Sequence, residues 1–428
     1  MSSLSLKKSV IVLFILFIGT ALSAIAGFAT KIIIARNTTP EVFGNYSTIL
    51  ATITTLMPLC GFGIQQYWLK TFGQHGAYGV IWIKPSLIFV AISSITIFII
   101  LILWFMLTLD SYYIKLSAMV LTFIVFNNVG AELLNSTLQL EAKYNWLAIW
   151  QLFQSSFLLV GICILLYVFG GKLTELNISI IQSLISCIVV LSIIPVIAKF
   201  IRSQREKISI DQLIIYQKEF SPNVLNIMKE AFPFGVAGLF YLIYYQFGIV
   251  FIRQMLGAKE AGFYGVAFTF LSASLIVPGV IYQKFLLPKL HSWAYHDREK
   301  FIQSYIYGNY VMLVLGILGL ISLWFLAPYI VPLLFGDEYE AAILIVQIMA
   351  INIPIVYVAS SAGSLLVTQD HMKTKVYYMG AAALMSLILT PILITFFGIY
   401  GAIYTNIASN IFICILYFNA VKARIINE

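Results

Sequence analysis

The 428-residue chain has too little charge for a water-soluble protein. Only 10% of its residues are Asp, Glu, Lys or Arg and 61% are hydrophobic, against about 25% and about 45–50% in soluble domains. This composition predicts a polytopic membrane protein, and it excludes a disordered chain or a disulfide scaffold. The apolar runs are also far longer than the roughly 10-residue alternating strands of an outer-membrane barrel.

Signals for metal, cofactor or nucleotide chemistry are missing. The few cysteines and histidines form no zinc or haem spacing, and neither a P-loop nor a hydrolase or zinc-protease motif occurs. The predicted outer loops are only a few residues long, whereas a membrane glycosyltransferase or polymerase normally carries a large catalytic outer loop. We therefore expect no cofactor, no metal and no enzymatic activity. The four isolated cysteines, each inside an apolar run, are Cys60, Cys163, Cys187 and Cys414.

The gaps between charged residues predict twelve membrane-spanning helices, because each crossing needs about 20 apolar residues. The last run is long enough for two helices that turn at Phe397-Gly398, and in the run 301–336 we expect the helix to end at Pro328 and Pro332. One further span is apolar except for Glu132. The uncharged runs are 9–30, 42–69, 85–109, 144–171, 176–198, 231–252, 261–283, 301–336, 341–369 and 376–421, and 116–138 is the additional span.

The distribution of positive charge predicts that both termini are cytoplasmic. With alternating loops, 19 of the 25 Lys and Arg residues fall on the side of the N-terminus, the bias typical of cytoplasmic loops. The net charge of +8 then reflects basic loops that face an anionic membrane leaflet, and no nucleic-acid partner is expected. Lys7-Lys8 and Ala24-Ile25-Ala26 resemble a cleavable signal, but the apolar run continues to Ile34, which favours an uncleaved first helix.

The chain divides at its longest loop. This loop is basic, and apolar residues such as Ile208, Ile210 and Leu213 alternate with charges, which predicts an amphipathic surface helix; a disordered linker is the alternative for its first ten residues. We expect an N-terminal six-helix bundle over 1–200, a cytoplasmic linker over 201–229 and a C-terminal six-helix bundle over 230–428.

The two halves contain similar segments. Arg36, Glu41, Gly44 and Tyr46 recur as Arg253, Glu260, Gly262 and Tyr264, at offsets of 217 to 219 residues. Because the offset joins span one to span seven, the repeats have the same orientation. The sequence therefore predicts an all-α membrane protein in which two parallel-repeat six-helix bundles enclose a central cavity, as in a transporter.

Short motifs resemble one family. Ile32–Arg36, Pro40-Glu41 and Phe43–Tyr46 resemble the first-loop signature of polysaccharide and O-antigen flippases, and Leu256–Tyr264 and Leu334–Tyr339 resemble two further family segments. That superfamily also includes multidrug extruders and the lipid II flippase. The resemblance implies alternating-access transport of an oligosaccharide on undecaprenyl pyrophosphate across the bacterial inner (plasma) membrane. It also implies membrane lipids, a glycan polymerase and a chain-length regulator as candidate partners.

Two alternatives stay open at this point. A multidrug/ion antiporter of the same superfamily usually carries an acidic residue in an N-terminal-half helix, and only Glu132 fits here. A membrane glycan polymerase is disfavoured by the short loops, and a lipid II flippase by the count of twelve spans rather than fourteen. The chain departs from many polysaccharide flippases at Gly248-Ile249, where they carry an Asp–Arg pair.

Lys31 and the polar face of span four are the first candidates for a cavity site. Lys31 follows small residues at helical spacing, and its alternative role is to reach the membrane surface from the end of span one. Asn128, Glu132 and Asn135 lie at i, i+4 and i+7, a polar stripe on an apolar helix. Intramembrane carboxylates usually face a bundle interior, so we interpret this stripe as functional.

The remaining candidates carry positive charge or aromatic rings. Arg36 and its repeat partner Arg253 could bind phosphate in a bidentate manner, and their alternative is a structural bond at a helix C-terminus. Lys284 is either an entry site for phosphate or an interfacial anchor. Tyr244 and Tyr245 could stack on sugar rings.

Overall fold

The computed structural model describes residues 3–168, 170, 173–286, 290, 293, 297–366 and 372–423. Side chains are described throughout these ranges except at 3–16, 210, 213–214, 283–285 and 372. Every regular element in the described ranges is helical. This agrees with the all-α membrane class that the composition predicts.

The first half of the described chain contains ten α-helices before residue 224, with a 3-10 turn, Gly76–Gly79, between the fourth and the fifth. They are α1 Ser3–Arg36, α2 Pro40–Leu56, α3 Pro58–Gly61, α4 Ile64–His75, α5 Val80–Thr108, α6 Tyr112–Leu121, α7 Ile124–Leu140, α8 Tyr144–Val168, α9 Glu175–Arg205 and α10 Ile210–Phe220.

The second half of the described chain is helical as well. Its helices are α11 Val224–Gln246, α12 Gly248–Met255, α13 Ala258–Ser274, α14 Arg298–Phe335, α15 Ala342–Met349, α16 Asn352–Leu365, α17 Met372–Phe397 and α18 Ile399–Val421. A short turn and a π-helical segment, Gly279–Leu286, continue α13.

Eleven stretches of the described chain are long and apolar enough to cross a membrane. One of them, Pro40–Thr108, has 69 residues, which is about 100 Å of helix, and the hydrocarbon core is about 30 Å thick. Because this stretch is interrupted between α4 and α5, it crosses twice. The protein is thus a multi-pass membrane protein, and its described residues form about eleven to twelve candidate crossings where the charge gaps predict twelve.

Alternate crossings place the loops at two ends of the molecule. We call the end that carries α10 and the loop between α4 and α5 the linker end, and the end that carries the loop between α1 and α2 the far end. Gly398, with a φ of 58°, separates α17 from α18, so the turn predicted at Phe397-Gly398 is confirmed.

The second span is broken in its middle. Phe62 and Gly63 both have positive φ, 47° and 73°, and they separate α3 from α4. A left-handed residue other than glycine is costly in a helix and persists only where the surroundings fix it. The break re-aims α4 relative to α2, and it lies at the contact between the two halves.

The prediction that Pro328 and Pro332 end the ninth helix is wrong. Helix α14 continues through both prolines to Phe335. Pro328 has no N–H for the carbonyl of Trp324, and Gln347 Nε2 from α15 donates to that carbonyl at 2.9 Å instead. A neighbouring helix therefore satisfies the freed backbone group, which is how membrane helices tolerate an internal proline.

A helix, α10, lies within the range predicted for the linker. Ser209 caps it by accepting a bond from the N–H of Gln212, and Tyr216 stacks on Tyr78 with ring centroids 4.5 Å apart. The Tyr216 hydroxyl also lies 2.7 Å from His75 Nδ1. These contacts fasten the linker helix to the second span.

Candidate functional site

Two parts of the described chain, called here the N-terminal half (α1–α9) and the C-terminal half (α11–α18), meet along α2 and α13. At the far end this contact is made by backbone. A Cβ on Gly44 would lie 1.8 Å from the carbonyl oxygen of Ala258, and a Cβ on Gly262 would lie 2.1 Å from that of Pro40. Only glycine allows so close an approach of two helices.

The contact between α2 and α13 is reciprocal. Gly44 faces Ala258 and Gly262 faces Pro40, and both Pro40–Ala258 and Gly44–Gly262 are 218 residues apart. At this offset Pro40 corresponds to Ala258 and Gly44 corresponds to Gly262. Each of the two contacts therefore maps onto the other when the halves are exchanged, which is typical of a two-fold axis. The internal repeat remains a prediction, and this contact supports it.

Side chains reinforce the far end through a buried asparagine. Arg253 Nε donates to Asn45 Oδ1 at 3.0 Å, and Asn45 Nδ2 donates to Glu175 Oε1 at 3.0 Å. Asn45 is buried, and Asp110 also lies near enough to act on the charge of Arg253. Arg253 of the C-terminal half is thereby tied to α2 and α9 of the N-terminal half.

Arg36 makes a structural contact at the same end. Its Nη1 donates to the Leu333 carbonyl in the last turn of α14 at 2.7 Å, and Tyr339 Oη donates to the Ala35 carbonyl at 3.3 Å. This is the helix-terminus bond considered as the alternative to phosphate binding. Phosphate binding by Arg36 and by Arg253 stays a prediction.

Gln246 joins the halves in the middle of the membrane. Its Nε2 lies 2.8 Å from Thr54 Oγ1, 3.2 Å from Thr55 Oγ1 and 3.4 Å from the Ala51 carbonyl. Gln246 ends α11, and its three partners lie on α2. In an apolar surrounding such polar contacts hold one helix against another.

Side chains make most of the contact at the linker end, beside one close approach in which a Cβ on Gly235 would lie 2.7 Å from the Phe62 Cα. Lys70 Nζ and Glu230 Oε2 form an ion pair at 2.9 Å, with about half of each side chain exposed. Nearer the middle of the span, Phe62 stacks on Phe232 with ring centroids 5.9 Å apart, and Gly63 faces Phe234. The broken second span is therefore the surface on which α11 rests.

Lys31 lies on the face of α1 that points between the halves. Ser23 contacts α8 through Ser155 at 2.6 Å, and Phe28 contacts Phe270 of α13. At about 100° per residue, Gly27 and Lys31 fall between these two directions. A Cβ on Gly27 would meet nothing within 4 Å, so open space borders this face.

The ammonium group of Lys31 has no partner among the described side chains. No hydrogen bond or salt bridge to it occurs in that part of the structure, and the side chain is half-buried. The residue is about 7 Å from the far end of α1, at 1.5 Å per residue from Arg36. A half-buried cation without a partner, beside an open space, is suited to bind an anion.

The polar stripe of span four faces the break in span two. Glu132 Oε2 lies 3.2 Å from where a Cβ on Gly61 would stand. Glu132 Oε2 and Asn135 Oδ1 are buried and accept no hydrogen bond from the described residues, and Asn128 is half-buried. The stripe thus lies inside the N-terminal half, one layer behind the surface on which α11 rests.

The tyrosines of span seven are buried inside the C-terminal half in this structure. Tyr244 and Tyr245 expose only 6% and 7% of their surface, and Tyr245 stacks with Tyr241 at a centroid distance of 5.2 Å. Stacking on a sugar would require this cluster to open. The side chain of Lys284 lies outside the described side chains.

Two polar features were missed by reading the sequence. Asn410 Nδ2 donates to Asn352 Oδ1 at 2.8 Å and to Asn406 Oδ1 at 3.2 Å, and Asn406 donates to the Tyr244 and Tyr245 carbonyls. The i, i+4 spacing of the two asparagines on α18 was the available signal, the same one that identified the stripe on span four.

Lys375 is the second missed feature. Its Nζ donates to the Gly363 carbonyl at 2.9 Å and lies 5.8 Å from the centre of the Tyr417 ring. An intramembrane cation held by a carbonyl and an aromatic face is unusual. In the sequence Lys375 lies close to Lys373 in a basic segment of the linker end, so it is interpreted from the sequence as an ordinary loop charge.

The described residues place polar and charged groups at and near the interface between the two halves. No group of His, Cys, Asp and Glu residues that could hold a metal ion occurs among the described residues. Within the described part of the chain the geometry offers an interface between two halves, the Lys31 ammonium group without a partner beside an open space, and a carboxylate oxygen of Glu132 that accepts no hydrogen bond behind a helix break.

Comparison with solved structures shows that the chain has a fold similar to those of two membrane proteins, the first of which belongs to the MOP superfamily. An inward-facing multidrug resistance MATE transporter of that superfamily is similar, with a TM-score of 0.69, 16% identity and 95% of each chain covered. The lipid II flippase MurJ, in an inward closed conformation, has a TM-score of 0.70 and 14% identity over 96% of this chain and 87% of MurJ.

The sequence itself matches a protein family. The model of the family described as polysaccharide biosynthesis protein matches residues 9–292, about two thirds of the chain. The protein belongs to this family. No curated protein matches the chain.

Proposed function

We propose that this protein is a flippase that moves undecaprenyl-pyrophosphate-linked oligosaccharide repeat units across the bacterial inner membrane by alternating access. In this proposal the linker end faces the cytoplasm. The family match and the MurJ-like fold support a role in polysaccharide assembly, and the positive charge near the linker end supports the orientation.

The physical difficulty of the task fits the interface between the halves. A pyrophosphate and sugar hydroxyls cannot enter hydrocarbon unaided, because each unpaired polar group costs kilocalories. A protected path needs a cation for the phosphates and polar groups for the sugar, while the polyprenyl tail stays in lipid. At the interface Lys31 supplies the cation, and groups such as Gln246 supply the polar contacts.

The observation that carries the proposal is the position of Lys31. It lies between the face of α1 that contacts α8 and the face that contacts α13, beside the open space at Gly27. If Lys31 only anchored α1 at the membrane surface, it could lie on any face of the helix and would not have to point between the halves. Arg253, tied to Asn45 when the far end is closed, would be released as the halves separate and become available to the leaving phosphate.

Deletion in the native host tests this function. The lipid-linked repeat unit should still be made but should stay on the cytoplasmic leaflet, and surface polymer should be lost. Leaflet location is measured by the access of an impermeant glycan-specific reagent to spheroplasts. Single repeat units at the cell surface after deletion would identify a polymerase and refute the proposal.

Glu132 favours a second candidate, an ion-coupled antiporter. Its Oε2 has no hydrogen-bond donor among the described residues and faces the break on which α11 rests, so gain or loss of a proton there could bias the contact between halves. In the antiporter, expression should raise drug resistance, Glu132→Gln should abolish it and Glu132→Asp should retain part of it. Unchanged drug sensitivity on expression would exclude this candidate.

A further inference from the structure

A groove on the outer surface of the N-terminal half lies apart from the interface described above. It runs between α5 and α9 at the linker end and encloses about 330 Å³. Leu87, Ile88 and Ile201 are among its apolar wall residues, and Lys84 and Arg205 are its charged ones. Ile88 is 43% exposed, so the wall opens toward the hydrocarbon.

A second hollow of about 580 Å³ adjoins the groove. It shares Ile201 and Arg205 with the first and adds Arg202 and Glu206. Arg202 Nε already pairs with Glu206 Oε1 at 2.9 Å. In the described part of the chain no carboxylate forms a salt bridge with Lys84 or Arg205, so these two cations remain for a ligand.

The shape and the charge together identify the ligand. A soluble anion would use the two cations but not the apolar wall, and a neutral lipid would use the wall but not the cations. Basic pockets between membrane helices on the cytoplasmic side bind anionic head groups. The site faces the lipid rather than the interface between the halves, so the transported cargo is not its expected occupant.

We propose that this groove is a binding site for an anionic phospholipid, whose phosphate contacts Lys84 and Arg205 and whose acyl chain lies along Leu87 and Ile201. The adjoining hollow includes Ile208, just before α10. A bound lipid would therefore hold the end of α9 and the start of the linker against α5. This site is independent of the proposed transport function, and either can fail alone.

Native mass spectrometry of the full-length purified protein tests the proposal with phosphatidylglycerol and phosphatidylcholine as probes. Phosphatidylglycerol adducts should survive delipidation better than phosphatidylcholine adducts. The double variant Lys84→Gln/Arg205→Gln should lose them by about fivefold or more. The matched control Lys199→Gln/Lys229→Gln removes two exposed cations that do not line the groove, and it should retain adducts within about twofold.

A second variant separates the acyl chain from the charge. Ala91 lines the groove, and Ala91→Trp should fill it while keeping both cations, so phosphatidylglycerol adducts should again fall. Undiminished adducts in the double variant, or equal loss of phosphatidylcholine, would overturn the proposal. Displacement of phosphatidylglycerol by an equal concentration of polyprenyl phosphate would assign the groove to the cargo lipid and overturn it as well.

Discussion

The two ends of the interface are closed by different means. At the far end the backbones of α2 and α13 touch at two glycines, Gly44 and Gly262. At the linker end a half-exposed ion pair and stacked aromatic rings accompany a single close approach, that of Gly235 to Phe62. A backbone contact has no side chain that can adjust, so it is either fully made or lost. Side-chain contacts can be exchanged gradually.

This difference suggests which end yields first. An exposed ion pair contributes about 0–1 kcal/mol, and water replaces its partners easily. The far end adds buried polar bonds to close packing, which must be broken together. We expect the linker end to open with the smaller cost, so that this end admits the cargo and the far end opens only in response to it.

The largest effect is expected when the glycine contact is removed. Gly44→Ala should force α2 away from α13, because its Cβ would meet the Ala258 carbonyl oxygen. With the native cysteines replaced, a cysteine at Ser47 should react with an impermeant thiol reagent well over about tenfold faster. Gly73→Ala is the control, since a Cβ there meets nothing within 4 Å. Equal reactivity in both variants would show that the glycine contact does not close the far end.

The next effect concerns the cation beside the open space. Lys31→Ala should lower transport by about tenfold or more, because a hydrogen bond to a charged group is worth about 1.5–3 kcal/mol. Lys31→Arg should keep most of the transport. The measurement is surface polymer in a complementation assay, with protein abundance determined in parallel. Full activity of Lys31→Ala would show that Lys31 does not belong to the site. It would not affect the explanation of how the two ends are closed.

A smaller effect is expected from the buried bridge at the far end. Asn45→Leu breaks the link between Arg253 and Glu175, and both charges can partly recover water, so we expect a three- to tenfold rise in far-end thiol reactivity, about 1 kcal/mol. Asn226→Leu, at an exposed position of the linker end, should leave this reactivity unchanged. A similar response of the two variants would mean that Asn45 does not strengthen the far end.

The smallest effect is expected at the linker-end ion pair. Lys70→Ala or Glu230→Ala should change transport by about fivefold at most, and the exchange Lys70→Glu/Glu230→Lys should restore it. The single-variant effects should shrink as salt is raised from about 0.01 to about 0.5 M, because exposed charges are screened. A salt-independent loss of tenfold or more would show that the linker end is as firmly closed as the far end.

The fold was largely predictable because the membrane restricts the choices. Charge gaps place the crossings, and Phe397-Gly398 marks a turn in an otherwise uninterrupted apolar run. Pro328 was misjudged because the group that compensates for it, Gln347, belongs to another helix. A local rule cannot include a hydrogen bond that only tertiary packing provides.

The candidate site was less predictable for the same reason. Helical spacing placed Asn128, Glu132 and Asn135 on one face, but it could not show that this face points at the break in span two. Tyr244 and Tyr245 carry aromatic rings that could stack on a sugar, but packing buries both side chains in this structure. Among the described residues Lys31 has no partner because α8 and α13 leave a space beside it. Residue spacing in the sequence cannot predict that space, since it depends on how these helices pack.

The most direct test of alternating access is to lock the linker end reversibly. Cysteines at Lys70 and Glu230, in a chain without its native cysteines, would be joined by a bifunctional, reducible thiol reagent, and transport of lipid-linked oligosaccharide into proteoliposomes would be measured before and after reduction. Lys70→Cys alone, treated identically, is the control. We expect transport to stop when the cross-link forms and to return when it is reduced. Undiminished transport with the cross-link fully formed would contradict the account.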